Sequence, residues 1–311
     1  SQQVRLLSMS DRVRVDEVLT SLLNLCSPLE PFDMPLLDAH GATLAEDIYA
    51  GERLVMKSGS RIRSTQIGLA ASIGLDHLPT RPHPRVVVIS AGPDLVEPGI
   101  ELTGDEEYET NSWLLTTAVR ETGAVAYRVH SIPENEDQLK DAIEDQLVRA
   151  DLIIISGERH DDSFDLITRT LQKMGEVTAV DIALDSSGRH NFGQIGPDKV
   201  PVITLPGDPI AAYISFELLV RPMIRTMLGA STIHRPSVKA RLEKGLSSTP
   251  GVRSYVRAIL SEDGKSVTPL GSQDEQATLS DANAFIAVAE GDGVVAAGAE
   301  VTVVVLERRY I

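Results

Sequence analysis

The sequence predicts an α/β protein built from an N-terminal helix/strand domain, a central three-layer α/β domain and a small C-terminal β domain. Apolar, β-branched runs alternate with helical periodicity between residues 85 and 230, which is typical of βαβ units. From residue 231 onward, short apolar runs are separated by glycine and proline, as in small all-β domains. The proline-rich stretch "HLPTRPHP" before the alternation is typical of an extended linker. We therefore place the domains at residues 1–84, 85–230 and 231–311.

The N-terminal domain contains two predicted helices. The first lies within residues 15–29, where apolar residues have helical spacing and Asp16 and Glu17 occupy the first turn. The second extends from about Ser64 to Ile73, with Gly74 as its C-terminal cap. Cys26, the single cysteine, is predicted to be a core thiol, which argues against a disulfide or a thiolate metal site and suits a reducing cytoplasm.

The central domain is predicted to hold a parallel sheet covered by helices, with its ligand site at the carboxyl ends of the strands. The predicted strands are Val86–Ile89, Val125–Val129, Leu152–Ile155 and Val202–Leu205. The predicted helices are Asn111–Glu121, Glu136–Arg149, Phe164–Lys173 and Pro209–Leu228.

The overall charge limits the classes of partner. A net charge of −16 argues against binding to nucleic acid or to anionic membranes, because both select for lysine and arginine. No apolar run reaches the ~18 residues that a membrane span requires. We expect a cytoplasmic protein without membrane insertion.

Three loops at the predicted carboxyl edge are candidates for chemistry. They follow the strands in "VVVISAGPDLVEPG", "ISGERHDDSFD" and "VITLPGDPIAAYISFELLVRP". In the third loop, Gly207 allows a tight turn, Asp208 is a good N-cap and Pro209 suits the first helical position. Such a helix start is either an anion site or simply a well-capped junction, and the spacing leaves both open.

Two other features favour ordinary structural roles. His160, Asp161 and Asp162 are adjacent in sequence and lack a metal-ligating spacing, so they predict a solvated acidic loop. Trp113 follows a predicted helix start and is expected to pack in the core rather than to stack on a cofactor.

Several stretches together resemble the molybdopterin molybdenumtransferase family, which includes bacterial MoeA and the E domain of gephyrin. They are "VVVISAGPDLVEPG", "ETNSWLLTTAVRETGA", "ADLIIISG", "LPGDPIAAYISFELLVRPMIRTMLG" and "GSRIRSTQIGLAASIGL". The tail from Tyr255 is similar to the family's C-terminal domain. The resemblance implies a MoeA/MogA-like α/β domain, a C-terminal barrel-like β domain and a homodimer. It also implies a vestigial molybdopterin site at Gly92, Thr110, Asn111, Ser156, Gly157, Pro206, Gly207, Asp208 and Pro209.

The chain departs from this family between Ala50 and Gly51. Family members insert a β-rich second domain there, which carries an Asp-Asn-Ser-Ala-Met-Asp-Gly-Tyr-like motif and a catalytic aspartate. Here "LAEDIYA" continues directly into "GERLVMKSGSRIR". Either the protein lacks this domain or the sequence omits it.

The family's site positions also differ. The family loop resembles Ser-Gly-Gly-x-Ser-x-Gly-x-x-Asp, of which this chain keeps Ser156, Gly157 and Asp165. Glu158 replaces its second glycine, His160 its second serine and Asp162 its third glycine. Its Lys-Pro-Gly-Lys-Pro becomes Asp185-Ser186-Ser187-Gly188-Arg189, its Thr-Gly-Asp-Glu-Leu becomes Ala91-Gly92-Pro93-Asp94-Leu95, and its Leu-Pro-Gly-Asn-Pro gains Asp208. At the family positions Asp94, Asp165, Asp185 and Gly188 we therefore expect no intact catalytic set. Added negative charge and lost glycines predict weaker binding of molybdate and pterin phosphate.

Two functions follow from the resemblance. The first is a catalytically degenerate, gephyrin-like dimeric scaffold that needs no cofactor. Similar to an actinobacterial gephyrin-like protein, it would bind a partner peptide such as an FtsZ or receptor tail. We predict that this peptide docks on the C-terminal domain at Phe285, Ile286, Val288 and Tyr310, unless these residues simply fill its core. The second function is molybdopterin molybdenumtransferase, with molybdopterin, Mg²⁺ and molybdate as its ligands.

Overall fold

The computed structural model describes residues 12–159, 161–185, 188–271, 275–291 and 293–307. His160, Ser186, Ser187 and Tyr310 lie outside the described residues.

The N-terminal part pairs a small antiparallel sheet with short helices. Its elements are α1 (Val15–Leu23), β1 (Phe32–Pro35), α2 (Leu36–Ala39), β2 (Thr43–Leu44), β3 (Ile48–Ala50), β4 (Arg53–Met56), α3 (Ser64–Ser72) and β5 (His77–Arg81). The sheet has the order β1-β5-β2, and a cluster of buried side chains from Ala39 to Leu78 forms its own core. Gly74 follows α3 in the left-handed conformation, with φ of 85°, which confirms the predicted stop.

The predicted linker is in fact the central strand of this sheet. β5 pairs with β1 on one side and β2 on the other, although it contains Pro79. Leu78 and Thr80 are fully buried, and the Pro79 carbonyl accepts a bond from the Ala45 amide at 2.9 Å. Alternating buried and more exposed side chains specify a strand here despite the prolines. Only Pro82 to Pro84 therefore remain between this strand and the next.

Helix α1 packs on the central domain rather than on the N-terminal sheet. Its buried residues Val15, Val18 and Leu22 join the same core cluster as Met223 and Met227. Cys26 lies beside this cluster, and burial raises the pKa of its thiol to about 12. Cys26 is therefore a partly buried thiol at the border of the core, and it stays protonated at neutral pH. The predicted domain boundaries at 84/85 and 230/231 stay predictions.

A β-hairpin lies at the point where the family's second domain is expected. β3 and β4 pair directly, with Ala50 opposite Arg53 and only Gly51 and Glu52 in the turn. Gly51 has a φ of 62°, which suits a tight turn without a side-chain clash. Whether the whole protein lacks that domain stays a prediction.

The central domain contains a six-stranded mixed sheet. Its elements are β6 (Arg85–Ser90), β7 (Leu95–Val96), β8 (Glu107–Tyr108), α4 (Asn111–Thr122), β9 (Val125–Arg128), α5 (Glu136–Leu147), β10 (Leu152–Ser156), α6 (Asp161–Met174), β11 (Gly175–Asp181), β12 (Arg189–Ile195), β13 (Val200–Leu205), α7 (Pro209–Ser215), a π-helical turn (Phe216–Val220) and α8 (Arg221–Met227). The strand order is β11-β12-β13-β10-β6-β9. The four predicted strands form its parallel part, which confirms the α/β prediction.

The three layers follow from alternation along the buried strands. Val86, Val88 and Ile154 face the cluster that includes α1, α4, α7 and α8. Val87, Ile89 and their neighbours on β10 face the cluster that includes α5 and α6. Because both faces are covered, these strands are apolar throughout, as expected for a parallel sheet.

The C-terminal domain is a closed five-stranded barrel. Its elements are β14 (Ser237–Leu242), β15 (Leu246–Ser247), β16 (Ser254–Leu260), β17 (Ser266–Pro269), α9 (Glu275–Asp281), β18 (Ala284–Val288), β19 (Val294–Val295) and β20 (Glu300–Val305). The barrel order is β14-β17-β16-β18-β20.

The predicted docking residues of the C-terminal domain need correction. Phe285, Ile286 and Val288 on β18 are 1%, 0% and 2% exposed, so their side chains fill cores. Ile286 and Val288 pack inside the barrel, whereas Phe285 packs outward against the central domain beside Tyr213. A strand with both neighbours paired and both faces covered offers no side chain to a peptide.

Candidate functional site

The three predicted loops meet at the carboxyl edge of the sheet. Ser90, Ser156 and Leu205 lie in register at the ends of β6, β10 and β13. The Ala91 amide continues the pairing by donating to the Ser156 carbonyl at 2.9 Å. The loops that begin at Ala91, Gly157 and Pro206 are therefore neighbours, as the βαβ pattern predicted.

Glycines allow these loops to touch. A Cβ at Gly207 would overlap the Glu158 carbonyl, and a Cβ at Gly92 would overlap the Glu158 carboxylate. A Cβ at Gly157 would overlap the hydroxyl of Ser163. Glu158 thus lies close to both Gly92 and Gly207, and Ser163 lies close to Gly157.

Glu158 is turned inward. Its side chain is only 6% exposed, and its Oε1 accepts a bond from the Asp94 amide at 2.6 Å. Its own amide donates to Ser163 Oγ at 2.8 Å, which holds the loop against the first turn of α6. The Glu158 carboxylate thus binds the Asp94 amide at the edge where the family's anionic ligand is expected.

Little space remains between the loops. The cavity at this edge measures about 10 Å³ and is bordered by Asn111, Gly157, Gly207 and Pro209 among others. A cavity of this size accommodates at most about one water molecule. In this conformation the site is closed to a pterin.

The start of α4 supplies the polar wall. Asn111 is 4% exposed, and its Nδ2 donates to the Gly207 carbonyl at 2.8 Å. Within the described part of the chain, its buried Oδ1 has no hydrogen-bond partner. Thr110, the residue before the helix, donates through its hydroxyl to the Tyr108 carbonyl at 3.2 Å. Asn111 is thus a free acceptor on the cleft wall.

Asp208 caps its own helix, as predicted. Its Oδ1 accepts from the amides of Ile210 and Ala211, both at 3.0 Å, and Pro209 occupies the first turn. These two amides are consequently not available to an anionic ligand. For Pro206 and Gly207, the structure shows a turn whose carbonyls face Asn111.

Glu109 is a site residue that sequence patterns did not reveal. It is 1% exposed and accepts from Ser90 Oγ at 2.6 Å and from the Ser112 amide at 2.8 Å, so it caps α4. Ser90 also contacts Ser156 Oγ at 3.1 Å, which ties two strand ends together. Arg128 lies 3.5 Å from Glu109 and partly balances its charge. A buried glutamate in a polar stretch has no sequence signal of its own, since glutamate is normally exposed.

The other family positions contact residues outside the three loops. Asp165 on α6 pairs with Arg189 at 3.2 Å, and Arg189 also stacks on Phe164. Asp185 accepts from Ser254 Oγ at 3.0 Å, so its carboxylate faces the barrel. The Gly188 carbonyl accepts from the Ile182 amide at 2.7 Å. Asp94 lies in the first loop, where its amide donates to Glu158. The absence of an intact catalytic set at these positions stays a prediction.

Two smaller predictions have different outcomes. The backbone of Asp161 and Asp162 begins α6 rather than a loop, whereas His160 and the side chains of both aspartates lie outside the described residues, so their solvation stays a prediction. Among the described residues there is no group of three or more His, Cys, Asp or Glu side chains that could hold a metal ion. Trp113 is 49% exposed, so its predicted core position is wrong.

Comparison with protein families matches residues 88–226 to the probable molybdopterin binding domain and residues 239–306 to the MoeA C-terminal region, domain IV. Molybdopterin molybdenumtransferase 1 of Mycobacterium tuberculosis is 31% identical over 255 residues, covering 79% of this chain and 60% of that protein. Molybdopterin molybdenumtransferase 2 of the same organism is 32% identical over 266 residues, covering 83% and 65%. The chain thus spans 60% to 65% of the length of these two relatives.

The fold is similar to that of the molybdopterin biosynthesis MoeA protein from Pyrococcus horikoshii, with a TM-score of 0.81 at 21% identity, covering 95% of this chain and 99% of that one. At this identity the likeness concerns the fold alone. Within the described residues, no helix is both long and apolar enough to cross a membrane.

Proposed function

The chain belongs to the MoeA family, and on that premise we propose that it binds molybdopterin at the carboxyl edge and acts in molybdenum cofactor biosynthesis as a molybdopterin molybdenumtransferase. The matched molybdopterin-binding region, residues 88–226, includes all three loops of the cleft. Of the two functions that the sequence suggested, the relatives favour this second one. Their names are those of transferases, whereas the gephyrin-like, FtsZ-binding form stays a prediction.

The single observation that carries the proposal is the position of the Glu158 carboxylate. It accepts from the Asp94 amide at 2.6 Å beside Gly92, in a setting that suits an oxygen of a phosphate. Backbone amides and a glycine that tolerate one anion can accept another of similar geometry. Glu158 is then an internal substitute for the substrate's anionic group, and binding requires it to swing outward.

The remaining wall residues suit a pterin. Asn111 presents an Oδ1 that has no partner among the described residues and that can accept from a ring N–H or amino group. Gly157 and Gly207 would allow a flat ring to approach the backbone once Glu158 has moved. These residues bind and orient the substrate.

A second candidate is favoured by the same side chain. If Glu158 stays in place, the cavity of about 10 Å³ excludes the pterin and the protein is a non-catalytic family member. In that case the homodimer and the FtsZ or receptor tail implied by the resemblance would describe its role. The buried positions of Phe285, Ile286 and Val288 mean that such a tail would have to dock elsewhere.

Transfer of molybdenum separates the two candidates. Purified protein is supplied with adenylylated molybdopterin and molybdate, and the molybdenum cofactor formed is measured for the wild type, Glu158→Ala and Glu52→Ala. Glu52 lies exposed in the β3–β4 turn and serves as the matched control. We expect product from the wild type, more from Glu158→Ala, and no change in Glu52→Ala. Product from none of the three proteins would contradict the transferase and leave the scaffold.

A further inference from the structure

Four large apolar side chains are exposed on one excursion next to the cleft. Ile100, Leu102, Tyr108 and Trp113 are 56%, 37%, 45% and 49% exposed. They belong to the segment that runs from β7 to the first turn of α4. We call this surface the ledge. The four side chains are close together in the sequence, and exposed apolar side chains that form one patch mark interaction sites more often than scattered ones do.

The ledge is held in one conformation by hydrogen bonds. β7 and β8 pair in parallel, which places Val96 opposite Tyr108. The Ile100 amide turns back to the Glu97 carbonyl at 3.3 Å, and the Thr103 amide donates to Glu106 Oε2 at 2.7 Å. A surface that is ordered before binding loses less entropy when a partner docks.

Trp113 is fixed at the edge of this surface. Its indole Nε1 donates to Glu97 Oε2 at 3.3 Å, and the Arg128 guanidinium lies 4.1 Å from the ring centroid. Arg128 therefore covers one face of the indole. Since half of the side chain is still exposed, the accessible area is the opposite face and the ring edge.

The charge of the ledge selects the partner. Residues 91–112 contain seven acidic residues and no lysine, arginine or histidine. Arg128 is already paired with Glu97 and Glu109, whereas Glu101 and Asp105 are exposed and form no ion pair among the described residues. Such a surface repels phosphates and attracts cations. A nucleotide stacked on Trp113 is disfavoured, and a basic peptide is favoured.

We propose that the ledge is a docking surface for a peptide segment that carries a basic side chain next to an aromatic or large aliphatic one. The apolar side chain packs on Trp113 and Tyr108, and the basic one pairs with Glu101 or Asp105. Tyr108 also borders the cavity of the cleft, but the docking contact needs neither an open cleft nor a bound pterin.

Trp113 reports directly on this surface, because it is the single tryptophan of the chain. The full chain is titrated with acetyl-Arg-Phe-Arg-Leu-amide, with acetyl-Glu-Phe-Glu-Leu-amide and with AMP, and tryptophan fluorescence is recorded. We expect a saturable change with the basic peptide alone. Its Kd should rise at least about fivefold between 50 and 300 mM NaCl, since exposed charges are screened over that range.

Two pairs of variants locate the contact. Glu101→Gln with Asp105→Asn should weaken binding at least about fivefold, whereas Asp141→Asn with Asp145→Asn, an equal charge change on the exposed face of α5, should leave Kd unchanged. By calorimetry, Trp113→Ala should abolish binding. The proposal is overturned if the acidic peptide or AMP binds as well as the basic peptide, if both charge variants weaken binding equally, or if Trp113→Ala binds normally.

Discussion

His190 shows how a single buried side chain links this fold to pH. It is 1% exposed on β12, and its Nδ1 lies 2.9 Å from the Gly188 carbonyl and its Nε2 2.9 Å from Ser215 Oγ. Because a carbonyl only accepts, Nδ1 carries the proton and Nε2 accepts from the serine hydroxyl. The neutral ring satisfies both partners, and burial lowers the pKa of His190 from 6.5 to about 4.

This lowered pKa predicts acid destabilisation in a defined window. Below pH 6.5 the unfolded chain binds a proton at this site that the folded chain refuses until about pH 4, so stability falls as pH decreases across that range. The loss is about 1.4 kcal/mol per pH unit and roughly 3 kcal/mol in total. Urea unfolding at pH 7, 6, 5 and 4 should show this slope in the wild type and a shallower one in His190→Gln. An equally steep slope in His190→Gln, with exposed His40→Gln as control, would contradict the assignment.

At the scale of the element, the last helix of the central domain departs from its predicted form for a local reason. The sequence predicts one helix over Pro209–Leu228, but residues 216–220 form a π-helical turn. Pro222 lacks an N–H and its ring crowds the carbonyl of residue 218, and a widened turn relieves that conflict. The turn places Glu217 in the interior, 2.8 Å from the Nε atoms of both Arg221 and Arg235. Arg235 also donates to the Leu306 carbonyl at 2.7 Å, so this element joins the central domain to the barrel.

Removing the Glu217 charge should therefore cost more than a surface charge does. Glu217 is 6% exposed, and Glu217→Gln leaves two partly buried arginines without their counter-ion. We expect a loss of about 3 kcal/mol in the free energy of unfolding. Glu144→Gln, which breaks the exposed pair with Lys140 at 3.7 Å, should lose less than about 0.5 kcal/mol. Chemical denaturation measures both losses, and equal values would show that the buried ion pairs stabilise the fold no more than the exposed one does.

The sequence patterns predict some strands of the central sheet and miss others. The strands β6, β10 and β13 have apolar runs because both of their faces are covered, and the sequence predicts all three. It also predicts β9, although this edge strand is only partly buried and Val125 is exposed. The edge strand β11 and its neighbour β12 were missed, since "GEVTAVD" and "RHNFGQI" lack an apolar run. They are specified by antiparallel pairing to β13 and to each other, a tertiary effect that local patterns do not carry.

At the scale of the whole molecule, the sequence predicts where the site lies but not its state. The parallel order of β6, β10 and β13 brings three distant loops to one edge, and that follows from the βαβ pattern. The inward turn of Glu158 and the burial of Glu109 do not follow, because charged residues are expected to face solvent. The acidic character of the chain, with a net charge of −16, also shapes both proposals. It weakens anion binding at the cleft and favours a cationic partner at the ledge.

The most direct test of the central claim is the affinity of the cleft for adenylylated molybdopterin, measured by calorimetry on the wild type and on Glu158→Ala. A carboxylate ~4 Å from a ligand anion costs up to ~4 kcal/mol at an effective dielectric of ~20. We therefore predict saturable binding to one site in the wild type and a Kd at least about tenfold lower in Glu158→Ala. Binding by neither protein, or an equal Kd in both, would contradict the claim that Glu158 occupies a molybdopterin site.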